Sequence, residues 1–351
     1  MKKILKGVRL FLTEGGRTRQ KGCATLGEYL VDSEDLKKVH EVCGSPHLSC
    51  MRALPRVSFV IPTFNSEMTL EKCLASIRNQ EYPDIEIVVV DGYSKDNSVQ
   101  IARRYTDKII FDHGTYGQAC QVGAENCTGE VLGLFDSDII IPHKDWLKNA
   151  VDLFQCDNKI STIWPVNTAP PNGSLTTRWY FNFWKIFMED RIKKGKGYFG
   201  GGNSLFLKKC LENIGGVSKE MHWGADFDWA KKLNNRGYKV VFLKDPIYHD
   251  TMKTVQEFAR KQFTGAKTFT KTGFGLMGLS NRDIFYEHSM LGTKGMLVGL
   301  FKKREKSWIY HPLFVCVRVF AYSGVHLANA VEAINKGWNK HSSHSRAKNV
   351  L

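Results

Sequence analysis

The chain has 351 residues, 42% of them hydrophobic and 24% charged, which is enough to bury a large core and excludes a disordered or low-complexity protein. Its 50 Lys and Arg against 35 Asp and Glu give a formal net charge of +15, and so large an excess calls for an anionic partner: a phosphate-bearing substrate, nucleic acid or an acidic membrane surface. The nine cysteines are odd in number, form no C-x-x-C and sit mostly in apolar stretches; they read as free thiols in a reducing compartment, which disfavours a disulfide framework or a zinc site.

Residues 1–12 begin basic, but Lys6 and Arg9 break up their apolar part, so they predict no signal peptide. Ile4, Leu5, Val8, Phe11 and Leu12 recur at helical spacing, which predicts a short interfacial helix or, equally, a packed or fraying terminus. Residues 13–56 predict an N-terminal extension with one helical pattern over 26–42 and no chemistry. From Val57 the texture changes. Residues 57–62 predict a strand closed by Pro62, then a polar turn from Thr63 to Glu67 and a helix over 70–77. A second strand is predicted over 85–90, ending at Asp91, and a capped helix over 94–105. A third strand follows over 108–111, a helix over 118–127 and a fourth strand over 131–135. Strands alternating with helices at this spacing predict βαβ units and a parallel sheet, in which ligands bind beyond the C-terminal strand ends.

Further on, 146–154 predict a helix and 160–164 a strand, followed by a Pro/Asn/Gly loop over 167–173 and an aromatic-rich stretch over 179–187. Gly200, Gly201, Gly202 and Asn203 lead into the apolar residues 204–207; a helix opens near Gly224 and runs to Asn235; a strand covers 240–243, with His249 and Asp250 after it. Lys302, Lys303, Arg304 and Lys306 then precede an apolar run over 308–331 that contains His311, Pro312, Arg318, His326 and Asn329. That run is long enough to span a bilayer but carries too many polar groups for a lipid-facing helix. It predicts either a segment lying on an anionic membrane surface or a helix that closes the core.

The stretch that carries chemistry is 131–142, an apolar strand that ends in Asp136 and Asp138. Two anions at the end of a hydrophobic strand cost desolvation energy unless something positive meets them. Residues i and i+2 of an extended chain point to one side, so the two carboxylates can converge. Hard oxygen donors of this kind suit Mg or Mn beside substrate phosphates; the plainer alternative is a strand-end turn with Asp138 as a solvated cap. Thr63 with Asn65, Asp91, and Asp136 with Asp138 are three polar strand ends expected on one sheet edge.

The ordered segments VSFVIPTFN (57–65), IEIVVVDGYSKDNS (85–98), GQACQVGAENCTGEVLGLFDSD (117–138), GGNSLFLKK (201–209) and WGADFDWAKKL (223–233) resemble glycosyltransferase family 2. The resemblance covers somewhat over half the chain and implies an α/β GT-A fold, a Rossmann-like, mostly parallel sheet flanked by helices. It implies a glycosyltransferase domain over 57–250 and a basic helical region over 251–351. The implied activity is metal-dependent, inverting transfer of a sugar from a nucleotide-diphosphate sugar to a glycan or polyprenyl-linked acceptor, in cell-surface polysaccharide or glycoconjugate synthesis. Such a chain would be cytoplasmic and peripheral on the inner membrane face. Carried over by position, the resemblance implies that Pro62, Thr63, Asn65 and Glu67 contact the nucleotide and that Asp91 accepts hydrogen bonds from base or ribose. It implies that Asp136 sits near the ribose and metal, that Asp138 binds a divalent cation, and that His249 lies near metal and diphosphate. Gly202 and Asn203 would line the sugar and acceptor site, and Asp226 would be the catalytic base. Ala225 stands where the family has Glu, with Asp228 the nearest acidic substitute, and Cys120 and Gln121 stand where many members have Arg-Asn.

Two rivals use other chemistry. A sugar-phosphate nucleotidyltransferase would show a glycine-rich, basic loop after the first strand, and Pro62-Thr63-Phe64-Asn65 is not that loop. A non-catalytic protein binding nucleotides or other anions fits the charge, but no helix-turn-helix, zinc-finger spacing or RNP-like aromatic motif supports a nucleic-acid partner.

Overall fold

The computed structural model describes residues 29–31, 54–193, 202–221, 225–272 and 286–348, so the terminal segment over 1–12 lies outside the described residues. Backbone packing divides the chain into two units, Met1–Thr251 and Met252–Leu351.

In the first unit the strands are β1 (Tyr29–Val31), β2 (Val57–Thr63), β3 (Ile85–Asp91), β4 (Ile109–Phe111), β5 (Val131–Leu134), β6 (Ile139–Ile140), β7 (Ile160–Thr168), β8 (Ser204–Leu207) and β9 (Lys239–His249). They form one sheet in the order β1-β9-β7-β8-β5-β2-β3-β4, with β6 paired to β9. β2, β3, β4 and β5 run parallel, as do β1, β7 and β9, whereas β8 runs against both β5 and β7. The C-terminal ends of β2, β3, β5 and β9 therefore share one edge with the beginning of β8.

The central strands read as near-continuous apolar runs because both of their faces are covered. On one face Phe59, Ile61, Ile87, Val89 and Phe135 pack with the buried residues of α1 (Leu70–Arg78) and α4 (Trp146–Asp152). On the other, Val60, Val88, Leu132, Leu134 and Phe206 pack with α3 (Tyr116–Asn126) and α7 (Ala225–Asn235). The alternation of Phe59 and Val60 between faces is the period of two that a strand imposes. Leu70, Cys73, Leu74 and Ile77 are the buried residues of α1, the i, i+3, i+4, i+7 stripe of an amphipathic helix. At the edge opposite the strand ends, Glu86 of β3 is buried and accepts from Ser58 Oγ of β2, from Thr128 N at 2.8 Å and from Lys108 Nζ at 2.9 Å.

Several elements differ from the sequence expectations. Within the helical pattern over 26–42, residues 29–31 form a strand paired with Val241–Leu243 of β9; the rest of that pattern lies outside the described residues. An open sheet edge leaves backbone N–H and C=O groups unpaired, and Tyr-Leu-Val suits a strand, so pairing overrides local helical spacing. The helix expected over 94–105 shrinks to α2 (Ser98–Ala102), because residues 94–97 hydrogen-bond to the loop after β2. The strand over 240–243 extends to His249 through its pairing with β7 and β6.

In the second unit, α8 (Val255–Thr272) packs on α10 (His311–Lys348), with Phe258 and Phe314 edge-to-face at 4.6 Å. Arg318 is buried there; its Nε donates to Gln262 Oε1 at 2.9 Å and its guanidinium lies 6.0 Å from the Phe258 ring centre. Gly292, which opens α9 (Gly292–Leu297), leaves room for the His311 ring: an added Cβ would fall 2.4 Å from His311 Cε1. The run over 308–331 thus forms one turn of 3-10 helix and most of α10, and no helix of the described residues is long and apolar enough to cross a membrane.

Candidate active site

Sheet pairing assembles the site. The antiparallel register of β5 and β8 sets Leu134 opposite Ser204, so the residues just beyond, Phe135–Asp136 and Asn203, lie side by side. The Asp136 N–H donates to Asn203 Oδ1 at 2.7 Å, and Asn203 Nδ2 donates back to Asp136 Oδ2 at 3.1 Å. Asn203 takes a left-handed φ of 60° and is buried; Asn tolerates that conformation better than most residues. The short pairing of β6 with β9 sets Ile139 opposite His249, and Asp250 N donates to Asp138 O at 2.9 Å. His249 Nε2 consequently lies 3.0 Å from Asp138 Oδ1 and 3.6 Å from Asp136 Oδ2.

Asp136, Asp138 and His249 each present one donor atom, all within 4.8 Å of one another. His249 Nε2 is buried and makes no hydrogen bond of proper geometry, although two carboxylates face it. An orphaned imidazole nitrogen among carboxylate oxygens is costly as a hydrogen-bonding arrangement and natural as a ligand set. Two oxygens and one imidazole nitrogen suit Mn or Mg, which complete their shells with water and phosphate. The Phe181 ring of α5 (Leu175–Lys193) lies 5.4 Å from that of His249 and covers it.

Two side chains absent from the sequence-based set support Asp136. Tyr116 opens α3 and its hydroxyl hydrogen-bonds Asp136; burial pushes its phenol well above the ordinary value, and the nearby charges of Asp136 and then Asp226 add to this. Cys73 Sγ donates to the Asp136 carbonyl at 3.6 Å. Thr115 caps α3 by accepting from Gln118 N, so the helix begins two residues before the expected Gln118. A Thr-x-x-Gln capping pattern was the available signal, and it places Tyr116 at the strand-end edge.

Asp226 lies in the first turn of α7 and faces the Gly202 turn: a Cβ on Gly202 would sit 3.4 Å from Asp226 Oδ2. Asp228 is committed elsewhere, 2.7 Å from Lys232 Nζ and accepting from Ser218 Oγ. The two acids therefore have separate surroundings.

The loops after β2 and β3 are laced together. Asp91 is fully buried and accepts from Ser94 N at 2.8 Å and Ser94 Oγ at 2.7 Å. Asn65 (φ 48°) donates its N–H to Ser94 Oγ and accepts from Lys95 N, while Glu67 accepts from Asn97 N and Nδ2. Thr63 is buried and Pro62 half-buried beside them. Ser137 Oγ donates to Ser66 Oγ at 2.9 Å, tying this loop to the Asp136–Asp138 turn. At the rim, Phe64 is 63% and Tyr93 40% exposed, and Tyr93 stacks on His113 at 3.7 Å. Exposed aromatic faces beside a buried carboxylate form a surface for a planar ring.

The family description for glycosyl transferase family 2 matches residues 58–215, the segment that carries β2 to β8. Residues 58–215 thus carry a glycosyltransferase family 2 domain. It is similar to glycosyltransferase AglE of Haloferax volcanii, 29% identical over 224 residues, which cover 61% of this chain and 73% of the relative. It is also similar to a Methanococcus voltae dolichyl N-acetyl-α-D-glucosaminyl phosphate 3-β-D-2,3-diacetamido-2,3-dideoxy-β-D-glucuronosyltransferase, 32% identical over 109 residues, 28% of this chain and 34% of the relative. Beyond AglE, the chain spans no more than about a third of the length of these curated relatives. In fold it is similar to mannosyltransferase PcManGT of Pyrobaculum calidifontis, a structure in complex with GDP-Man and Mn2+, with a TM-score of 0.53 and 17% identity over 77% of this chain and 87% of that one. The fold is GT-A, as the sheet order also indicates.

Proposed function

We propose that this family 2 enzyme is a divalent-cation-dependent, inverting glycosyltransferase that moves a sugar from a nucleoside-diphosphate donor to a glycan or lipid-linked acceptor. The observation that carries this reading is the gathering of Asp136, Asp138 and His249, with Asp226 facing the Gly202–Asn203 turn that holds Asp136. Asp136, Asp138 and His249 would hold Mn or Mg, which when bound neutralises charge on the departing diphosphate. Phe64 and Tyr93 offer faces to the base. Asp91, itself fully buried, fixes the turn that carries Tyr93 by accepting from Ser94 N and Oγ. Pro62, Thr63, Asn65 and Glu67 shape the nucleotide loop, and Gly202 and Asn203 the wall beside the sugar.

In this reading Asp226 takes the proton from the acceptor hydroxyl as that oxygen bonds the anomeric carbon and the sugar–diphosphate bond breaks. A single displacement inverts the anomeric centre and needs no covalent enzyme intermediate. The engagement of Asp228 with Lys232 and Ser218 favours Asp226 as base. The Methanococcus relative, named for a dolichyl phosphate acceptor, supports a lipid-linked acceptor, and such an acceptor would bring the enzyme to the cytoplasmic membrane face. A thermal-shift screen of UDP- and GDP-sugars with and without manganese tests the donor and metal together, and NMR of the product's anomeric proton tests inversion. Stabilisation by one nucleotide sugar only in the presence of manganese is expected; no stabilisation by any of them, or a product of retained configuration, would refute the proposal.

A further inference from the structure

The second unit carries an inverted amphipathic helix. Between Lys306 and Glu332 the only Asp, Glu, Lys or Arg is Arg318, and that one charge points inward, buried against Gln262 and Phe258. The inward face of α10 is His311, Phe314, Arg318, Ala321, Tyr322 and Val325. Its outward face is apolar: Leu313 is 45% exposed, Val319 55%, Phe320 75%, Leu327 68% and Val331 48%. Leu313, Phe320 and Leu327 recur every seven residues, so with Val331 they form one stripe. At 1.5 Å of rise per residue the stripe is about 27 Å long. A helix bathed in water places charges outward and apolar side chains inward; a contiguous apolar stripe of this size marks a surface that meets something apolar.

What it meets is indicated by the cations that precede it. Lys302, Lys303, Arg304 and Lys306 are exposed, and of the apolar residues that flank them Phe301 is 78% and Ile309 68% exposed. Bulky apolar side chains on either side of a lysine- and arginine-rich segment, leading into an uncharged helix face, match the layering of a lipid surface, where anionic headgroups lie above acyl chains. A protein partner would have to supply that layering by its own side chains. No helix of the described residues is long and apolar enough to cross a membrane, and exposed His326 and Asn329 on α10 suit a helix lying in the headgroup layer.

We propose that the outward face of α10, with the basic segment before it, docks this unit onto an anionic bilayer. The proposal goes beyond the transferase reading and does not depend on it. The acyl boundary takes Leu313, Phe320 and Leu327, and headgroup phosphates take Lys302, Lys303 and Arg304.

The test is flotation of the full chain with phosphatidylcholine vesicles, with and without phosphatidylglycerol, at low and high salt. Wild type should float with the anionic vesicles and much less with the neutral ones. Lys302→Ala with Lys303→Ala should weaken binding about fivefold per charge, roughly thirtyfold in all, at low salt, with a much smaller effect at high salt. Phe320→Asp with Leu327→Asp should weaken binding at least tenfold at both. All four positions are exposed, and unchanged circular dichroism and melting will show that the variants fold. Failure of wild type to float with anionic vesicles at low salt would overturn the proposal, as would equal flotation of wild type and the Asp variant. A wild-type dimer that the Asp variant makes monomeric without changing flotation would also overturn it and assign the face to a second copy. None of these results involves a sugar donor, so failure here leaves the transferase reading standing, and failure of transfer assays leaves this one.

Discussion

Asn203 decides whether Asp136 is held or merely nearby. Its side chain makes two bonds to one residue: it accepts from the Asp136 N–H at 2.7 Å and donates to Asp136 Oδ2 at 3.1 Å. Asn203→Ala removes both. Stranding a backbone donor in a buried setting costs about 1–3 kcal/mol. Placing Ala at the φ of 60° that Asn203 adopts adds about 1 kcal/mol, because its Cβ crowds the carbonyl. The expected loss of stability is therefore about 2–4 kcal/mol. Asn203→Gly removes the same two bonds but adopts that φ freely, so it should be less destabilised than the Ala variant by about 1 kcal/mol. Metal affinity should behave differently. Both variants remove the bond from Asn203 Nδ2, so that of Asn203 and Tyr116 only Tyr116 still holds the Asp136 carboxylate, and both should lose manganese affinity by about 10–100-fold, the usual effect of removing a group that orients a ligand. Urea unfolding measures the first quantity and manganese titration calorimetry the second. If Asn203→Gly bound manganese as wild type does, the side chain would not be positioning Asp136 and the account of the site would be wrong.

Four other outcomes follow from the geometry. Asp226→Asn should lower turnover by about 10²–10⁴-fold, whereas Asp228→Asn, which loses only Lys232 and Ser218, should stay within about tenfold of wild type; equal losses in a transfer assay would undo the assignment of the base. His249→Ala should weaken manganese binding at least tenfold, and an unchanged affinity would take His249 out of the ligand set. Phe64→Ala should weaken nucleotide binding by about 1–3 kcal/mol, the scale of one aromatic–base stack; unaltered nucleotide affinity would show that the base lies elsewhere. Burial alone would raise the Glu86 carboxyl, but bonds from Ser58, Thr128 N–H and Lys108 outweigh it and lower it from 4.5 to about 2. A carboxyl lowered on folding stabilises above its unfolded pKa and loses that contribution as pH falls through the folded value, here between about 4.5 and 2, for about 3 kcal/mol in all. Glu86→Gln should flatten the acid limb of urea midpoint against pH over that interval, and superimposable limbs would refute this.

The sheet was legible wherever a strand is buried on both faces, because 57–62, 85–90 and 131–135 are apolar runs that stop at polar residues, and those stops mark the functional edge. What pairs across long separations was not legible from composition and spacing. Nothing near His249 shows that β6, more than a hundred residues earlier, will lie against it; only the family resemblance pointed there. Residues 29–31 carry a helical pattern that an open sheet edge overrides. The outward stripe of α10 was hidden for a different reason: over 311–331 both faces of that helix are largely apolar, so its periodicity cannot say which one turns inward, and the packing of Phe314 on Phe258 and the bond from Arg318 to Gln262 settle it.

The opposite facing of the two acids in the Ala225-Asp226-Phe227-Asp228 run, in contrast, follows from the sequence. Once that run opens a helix, positions i and i+2 are about 200° apart around its axis, so Asp226 and Asp228 must face nearly opposite ways. Positions i and i+4 share a face, so Asp228 is the one that meets Lys232, as it does at 2.7 Å. An acid paired with its own helix's lysine is poorly placed to receive an acceptor's proton. The other acid points to the opposite side, and there the chain has put Gly202, a residue without a side chain, on which an added Cβ would meet Asp226 Oδ2 at 3.4 Å. A glycine at that spot leaves space beside Asp226, and the space opens next to the residue that holds Asp136.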